Sequence, residues 1–130
     1  ALNRKGLSKE VVFLGYVTDE QLRVLYHKTE VFVFPSLYEG FGFPIIEAFA
    51  CGAAVVASNT SSCAEVVGDA ALTAAPDRPQ DIAAAIVRMI EDPSLKASLK
   101  AKGLKRADQF SFDTTARRTL EVYQEAAYVH

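Results

Sequence analysis

The sequence predicts an α/β domain with a Rossmann-like, doubly wound parallel sheet and a helical C-terminal tail. In the first half of the chain, short and continuously apolar runs alternate with helical patterns. Such runs are typical of parallel strands that are covered on both faces. In the second half, apolar residues recur every three or four positions, as they do on one face of a helix. A βαβαβ order implies a parallel sheet whose ligands lie beyond the carboxyl ends of its strands.

The first half of the chain contains the predicted strands and the helices that connect them. The strand segments are rich in β-branched and aromatic residues. A helix over 18–28 begins with a capping box formed by Thr18 and Gln21. A second helix, from Pro44 to Cys51, connects the second and third strands. The predicted strands are VVFLGYV (11–17), VFVFP (31–35) and AAVVA (53–57).

The second half is predicted to be mainly helical. The segment AALTA (71–75) adds a short edge strand. Three helices follow, which begin at an Asp77-Gln80 capping pair, at Asp92-Pro93 and at Ser111, the last extending to about Tyr128. A sheet of three or four strands is smaller than the roughly five or six strands usual for this fold. We therefore expect the chain to begin partway through a domain.

Composition excludes several classes of partner and location. The 130 residues are half hydrophobic and 23% charged, as in one soluble globular domain with a buried core. A net charge of −2 gives no general attraction to nucleic acid, so no nucleic-acid partner is expected. No segment has the features of a signal peptide or a membrane span, and Cys51 and Cys63 favour reduced thiols over a disulfide. These features predict a cytoplasmic protein.

Two acids in the run LYEGFGFPIIEAFACG (37–52) carry the functional argument. Gly40-Phe41-Gly42 follows a strand and precedes a helix, so the backbone there can approach an anion at the helix N-terminus. Glu39 and Glu47 would repel that anion, and they are better suited to hydroxyl groups on either side of it, as a nucleotide sugar offers. The alternative is that Glu39 is a solvated loop residue and Glu47 a buried acid satisfied by the backbone or by a basic neighbour.

Other polar residues give weaker signals. No Lys or Arg occurs from Thr29 through Asp77, so the positive charge for a diphosphate has to come from outside that stretch. His27 and His130 are expected to be bystanders. The segment SNTSS (58–62) either caps the following turn or reaches a phosphate. The basic residues of the C-terminal helices favour a solvated face, with anionic lipid as the alternative. These residues are Lys96, Lys100, Lys102, Lys105, Arg106, Arg117 and Arg118.

The stretch from Val11 to Tyr123 resembles the C-terminal part of a GT-B glycosyltransferase of the GT4 family, the glycosyl transferases group 1. This retaining family includes many bacterial mannosyl- and glucosyltransferases, and its E-x7-E motif corresponds here to Glu39 and Glu47. The resemblance implies two facing Rossmann-like domains. The chain (1–130) would supply part of the C-terminal, donor-binding domain and would lack the N-terminal acceptor domain.

The resemblance also implies roles for individual residues. Glu39 would contact the donor sugar as the catalytic residue, and Glu47 would bind the ribose hydroxyls. The backbone amides of the Gly-Phe-Gly loop would meet the diphosphate, and the segment Gly15-Tyr16-Val17 would lie against the base. The reaction would require no metal or other cofactor, because the leaving diphosphate is stabilised electrostatically. The implied substrate-binding residues are Tyr16, Val17, Gly40, Phe41, Gly42, Phe43 and Glu47.

The predicted function is transfer of a hexose, of mannose or glucose type, from a nucleoside-diphosphate sugar with retention of anomeric configuration. The acceptor would be a glycan, a lipid-linked molecule or a small molecule. A non-catalytic nucleotide-binding or protein-interaction module of the same fold is the alternative. We expect the chain alone to be inactive and to self-associate through an uncovered strand edge. The full-length protein would be cytoplasmic, with peripheral contact at the inner face of the membrane as an alternative.

Overall fold

A computed structural model describes residues 6–127 of the chain, and the elements of that part follow the predicted order. The strands are β1 Phe32–Phe34, β2 Val55–Ser58 and β3 Leu72–Ala74. The helices are α1 Asp19–Lys28, α2 Phe43–Ala50, α3 Ser61–Val67, α4 Pro79–Glu91, α5 Pro93–Ala107 and α6 Phe112–Ala127.

The three strands form one parallel sheet in the order β1-β2-β3. Phe32 pairs with Val55, and Val56 pairs with Leu72. Every residue of β2 is buried, including Ser58 beyond the predicted apolar run 53–57, because β2 is the central strand and helices cover both of its faces. β3 lies at an edge of the sheet, as predicted for the segment 71–75. The fold class predicted from the sequence is confirmed.

Alternate side chains of β2 and of Ala54, the residue before it, enter two separate cores. Val55 and Ala57 pack with buried residues of α1, α2 and α3, whereas Ala54 and Val56 pack with Met89 and with residues of α5. This division follows from the strand geometry, since successive side chains point to opposite faces of a sheet. The helices therefore flank the sheet on both sides, as in a doubly wound fold.

Helix α5 approaches α2 closely because it carries a glycine at the contact. A Cβ atom added to Gly103 would lie 2.6 Å from Cδ1 of Phe49. Phe49 is fully buried in the core on the α2 side of the sheet. The absence of a side chain at position 103 thus sets how near the C-terminal helices come to the helix that carries Glu47.

Helix ends follow the predicted signals in most places. Thr18 and Gln21 form the complete capping box of α1. Asp92 caps α5 by accepting from the backbone N–H of Leu95 at 2.8 Å, and Ser111 accepts from Thr114 N at 3.0 Å at the start of α6. The predicted end of α6 near Tyr128 lies outside the described residues.

The local structure departs from the predictions in three places. The segment 11–17 forms no strand, because none of the strands within residues 6–127 pairs with it, and a strand exists only as part of a ladder. It leaves Phe13 83% and Tyr16 94% exposed. The predicted Asp77-Gln80 capping pair does not form, since α4 begins at Pro79 with Arg78 at the N-cap and without a side-chain cap. Helix α3, which begins at Ser61 within the segment 58–62, was not predicted.

Candidate functional site

The candidate site lies where β1 and β2 end side by side. The chain leaves β1 into the loop that carries Glu39 and reaches α2, and it leaves β2 directly into α3. Because these strands are parallel neighbours, both exits lie at the same edge of the sheet. The hydroxyl of Ser58 donates to the carbonyl of Phe34 at 3.5 Å and links the two strand ends. Residues 36–43 and 58–62 therefore lie next to each other at this edge of the sheet.

Serine hydroxyls at the start of α3 hold the backbone of Glu39. Ser61 Oγ donates to the Glu39 carbonyl at 2.7 Å, and Ser62 Oγ donates to the same oxygen at 2.8 Å. The Glu39 N–H in turn donates to Ser61 Oγ at 3.3 Å. Ser36 Oγ donates to the Glu39 carboxylate at 2.9 Å. The segment 58–62 thus ties the loop to α3, and Glu39 is half-buried rather than freely solvated.

The Gly-Phe-Gly loop turns sharply into α2 at Gly42. This residue has φ 105° and ψ 44°, in the region that favours glycine, and it occupies the N-cap position of α2. Its missing side chain leaves room for Ile45 Cδ1, which would lie 3.4 Å from an added Cβ. Pro44 stands in the first turn, which contains no acidic residue. The N-terminal amides of α2 therefore have no carboxylate from their own turn as a partner.

The negative charge of Glu39 acts on the Cys63 thiol of the neighbouring helix, α3. Burial raises the pKa of the Cys63 thiol above its ordinary value, and the negative charge of Glu39 raises it further. Cys63 is fully buried in α3 and not paired in a disulfide, so it stays a neutral thiol. Burial is the larger cause of the raised pKa of Cys63, and the charge of Glu39 is the second.

Glu47 is exposed on α2 and has a phenolic partner. Tyr26 of α1 donates its hydroxyl to Glu47 Oε2 at 3.2 Å. Burial raises the pKa of Tyr26, and the charge and hydrogen bond of Glu47 add to that effect. The alternative of a buried acid paired with backbone or a cation does not describe this side chain. The partner of Glu47 is the neutral hydroxyl of Tyr26, and the exposed carboxylate of Glu47 is accessible to a ligand.

Glu47 also lines a groove between α2 and the start of α6. The groove has a volume of about 630 Å³. On the α2 side it is formed by residues spaced as one helix face, and on the other side by the segment 109–118. Arg118 of α6 lines the same groove. The lining residues used below are Phe41, Phe43, Glu47, Phe110, Phe112 and Arg118.

Arg118 and Phe110 line the groove and are not among the site residues predicted from the sequence. The sequence favours a solvated basic face for Arg118, and no local pattern relates it to Glu47, because the two residues lie far apart in the chain. Several other members of that basic group have internal partners. Lys96 pairs with Glu30, Lys102 donates to Asp69 at 2.7 Å, and Arg106 donates to two carbonyls of α3. These contacts favour a solvated, internally neutralised face.

The predicted base-binding residues lie in another depression. Tyr16 and Val17 line a shallow hollow of about 510 Å³ beside α1, which shares no lining residue with the groove at Glu47. Glu39 lines neither. The structure therefore brings Glu39 into contact with Ser61 and Ser62, and it places Glu47 and Arg118 along the same groove. It does not unite all of the predicted residues in one cavity, and their roles toward a ligand stay predictions.

Within residues 6–127, no three His, Cys, Asp or Glu side chains come together as a metal-binding group. His27 contacts the carbonyl oxygen of Cys51, with 3.4 Å from Nδ1 to the oxygen. In the same part of the chain, none of the helices combines the length and apolar character needed to cross a membrane.

Sequence comparison identifies relatives that are much longer than this chain. Residues 2–106 match the family described as glycosyl transferases group 1. The chain is 46% identical over 112 residues to the O-antigen chain mannosyltransferase B of Escherichia coli, covering 86% of this chain and 29% of that protein. It is 35% identical over 125 residues to the MMP alpha-(1->4)-mannosyltransferase of Mycolicibacterium hassiacum, covering 93% of this chain and 30% of that protein.

Solved structures share the fold. The sucrose-phosphate synthase of Thermosynechococcus elongatus superposes with a TM-score of 0.88 at 30% identity, over 99% of this chain and 33% of that one. The C-terminal domain of a group 1 glycosyl transferase from Francisella tularensis gives a TM-score of 0.72 at 26% identity, over 83% of this chain and 57% of that domain.

Fold and sequence together define a Rossmann-like domain of the kind found in the C-terminal half of GT-B glycosyltransferases. The chain belongs to the glycosyl transferases group 1 family. The resemblance stated from the E-x7-E motif is therefore confirmed. The chain spans less than a third of the length of the two mannosyltransferases named above.

Proposed function

We propose that this chain is the donor-binding part of a glycosyltransferase that moves a hexose from a nucleoside-diphosphate sugar to an acceptor, with retention of anomeric configuration. Family membership supports a transferase, and the mannosyltransferase relatives favour mannose over other hexoses of mannose or glucose type. The acceptor would be a glycan, a lipid-linked molecule or a small molecule, in polysaccharide biosynthesis. The observation that carries the proposal is the placement of Glu39, the glycine loop and Glu47 at the carboxyl ends of parallel strands.

The two acids support different roles because their surroundings differ. Glu39 is half-buried, and its backbone is fixed by three hydrogen bonds with Ser61 and Ser62. A carboxylate held in this way suits contact with a reacting sugar, where position matters most. Glu47 is exposed on the first helix after the loop and has one hydroxyl partner, Tyr26. We propose that it binds the ribose hydroxyls.

The N-terminus of α2 supports a role for the loop in diphosphate binding. Gly40 to Phe43 lead directly into the helix, whose orphan amides and dipole favour a negative charge. We propose that these amides contact the diphosphate and the sugar, that no metal is needed, and that Tyr16 and Val17 contact the base. Arg118 is the described cation that shares a groove with Glu47. It is a further candidate for a contact with the nucleotide.

The experiment uses the full-length protein and a panel of mannose and glucose donors linked to uridine, guanosine or adenosine diphosphate. Turnover is measured in the presence of a chelator, and the anomeric configuration of the product is read by proton magnetic resonance. We expect turnover of at least one donor with retained configuration, and we expect the chelator to leave the rate unchanged. Glu91→Gln, an exposed acid of α4 remote from the loop, is the control variant.

Four results would contradict this proposal in whole or in part. An inverted product would refute retention, and loss of turnover in chelator would refute metal independence. Nucleotide binding without turnover of any donor, in the presence of a broad set of acceptors, would favour the alternative of a non-catalytic nucleotide-binding module. If neither binding nor turnover occurs with the full-length protein, the donor-binding role itself is wrong.

A further inference from the structure

The loop between Glu39 and α2 makes its side-chain contacts through one aromatic residue. Gly40 and Gly42 have no side chains, so Phe41 is the loop residue between Glu39 and Phe43 that can pack against another element. Its ring centroid lies 4.9 Å from that of Phe43 and 5.7 Å from that of Phe110, with the Phe110 ring at 77° in an edge-to-face contact. Phe110 belongs to the turn between α5 and α6.

Phe110 is in turn held by Arg106. The guanidinium carbon of Arg106 lies 5.0 Å from the centroid of the Phe110 ring, which is the arrangement of a cation–π contact. The same guanidinium is fixed by hydrogen bonds. Nε donates to the carbonyl of Val66 at 3.0 Å, Nη2 to that of Glu65 at 2.7 Å, and Nη1 to Gln109 Oε1 at 2.6 Å.

These contacts make α3 a brace for the loop at both of its ends. The carbonyls of Glu65 and Val66 belong to the last turn of α3, where backbone acceptors have no partner within the helix. Arg106 satisfies them and presents its guanidinium to Phe110. At the other end of α3, Ser61 and Ser62 hold Glu39. Both sides of the loop are therefore held by α3. Glu39 is held by the serines at the start of α3, and Phe41 is held through Phe110 and Arg106 at its end.

We propose that Arg106 and Phe110 are positioning residues, which act through Phe41 to fix the Gly40–Phe43 loop in the geometry that sugar transfer requires. This inference rests on the function proposed above for the loop. Neither residue needs to touch the donor. Leu at position 110 would keep apolar volume and remove the ring, and Lys at position 106 would keep the charge and lose the planar fork that contacts both carbonyls.

The first test is kinetic and uses the full-length enzyme with its donor. We expect Phe110→Leu to lower kcat by about ten- to a hundredfold and to change the donor KM by less than about threefold, because a misplaced loop weakens the transition state more than ground-state binding. Arg106→Lys should act in the same direction. Phe110→Tyr should restore most of kcat, because it keeps the ring. Tyr123→Leu, an exposed aromatic of α6 outside the groove, is the control and should leave kcat unchanged.

A double-mutant cycle tests the route through Phe41. If Phe110 acts through Phe41, Phe41→Leu combined with Phe110→Leu should lower kcat no further than the worse of the two single variants. Fully additive losses would overturn the proposal, because they would mean that Phe110 affects the reaction independently of the loop. A Phe110→Leu variant that melts at a lower temperature with unchanged kcat would also overturn it.

The second test needs no turnover. Hydrogen exchange of the Glu39 amide, the loop amide that donates to Ser61 Oγ, should be about tenfold faster in Phe110→Leu than in the wild type, with the amides of α4 unchanged as the internal reference. Equal loop exchange in the two proteins would refute the positioning role whatever the kinetics show. Faster loop exchange together with a wild-type protein that turns over no donor would support the brace and refute the proposed function instead.

Discussion

Replacement of Gly103 by Ala tests how closely the C-terminal helices are set against the helix that carries Glu47. The new Cβ would lie 2.6 Å from Phe49 Cδ1, 3.1 Å from Cε1 and 3.2 Å from Cγ. Phe49 is fully buried, so its ring has no free space into which to move. Overpacking of this kind costs about 1–3 kcal/mol, and a contact this short belongs in the upper half of that range. The better helix propensity of Ala returns at most about 1 kcal/mol.

We therefore expect Gly103→Ala to lower the free energy of unfolding by about 1–2 kcal/mol, which corresponds to a fall in melting temperature of about 4–8 °C for a domain of this size. The assay is thermal and urea unfolding of the protein followed by far-ultraviolet circular dichroism. In a Phe49→Leu background the cost should largely disappear, because the ring that obstructs the Cβ is gone. Ser98→Ala, on the exposed side of α5, is the control.

Stabilisation by Gly103→Ala in both the wild-type and the Phe49→Leu proteins would refute the predicted clash with Phe49. That result would mean that α5 and α2 are not held at the observed separation, and that helix propensity alone decides the effect of the substitution.

Three further predictions concern single contacts. Asp92→Ala should lower the free energy of unfolding by about 0.5–2 kcal/mol, because it removes the cap on Leu95 N; urea titration against the exposed Ser94→Ala variant measures it, and equal stability would show that the cap is dispensable. Tyr26 should ionise at a higher pH than an ordinary tyrosine, and Glu47→Gln should bring that pH down, because the charge that disfavours the phenolate is lost; an unchanged ultraviolet titration would exclude the contact. Lys102 lowers the pKa of Asp69 in the folded protein, so the ion pair stabilises the fold at pH values above the pKa of Asp69 in the unfolded chain. This stabilisation is lost as the pH falls through the pKa of Asp69 in the folded protein, so the difference in melting temperature between wild type and Lys102→Gln should narrow on acidification. A difference that grows on acidification would contradict a lowered pKa for Asp69.

Much of the fold was predictable because local signals and tertiary packing agree. The buried run of β2, the capping box at Thr18 and the Asp92 cap are each encoded within a few residues and are all observed. The segment 11–17 was mispredicted because β-branched and aromatic composition indicates what a strand could be built from, whereas a strand also needs a neighbour. Helix α3 was missed because its seven residues are too few to show a clear apolar period.

The candidate site was only partly predictable for a similar physical reason. Glu39, the glycine loop and Glu47 share one short stretch, so their spacing alone indicates a strand–loop–helix unit. The contacts that hold the stretch come from distant segments: the serines of α3, Tyr26 of α1 and Phe110 after α5. No local period or motif relates these residues to Glu39 or Glu47. Their contribution follows from the packing of α3 and α5 around the loop.

The roles proposed for Glu39 and Glu47 are tested most directly by calorimetric titration. Full-length Glu39→Gln and Glu47→Gln variants are titrated with the nucleoside diphosphate and with the sugar nucleotide, and their steady-state rates are measured. If Glu47 binds ribose, Glu47→Gln should weaken both ligands alike, by about 1.5–3 kcal/mol, the scale of a hydrogen bond to a charged group. If Glu39 contacts the sugar, Glu39→Gln should leave nucleoside-diphosphate affinity nearly unchanged and lower kcat. Equal losses for Glu39→Gln on the two ligands, or normal nucleotide binding by Glu47→Gln, would contradict the proposed division of roles between the two acids.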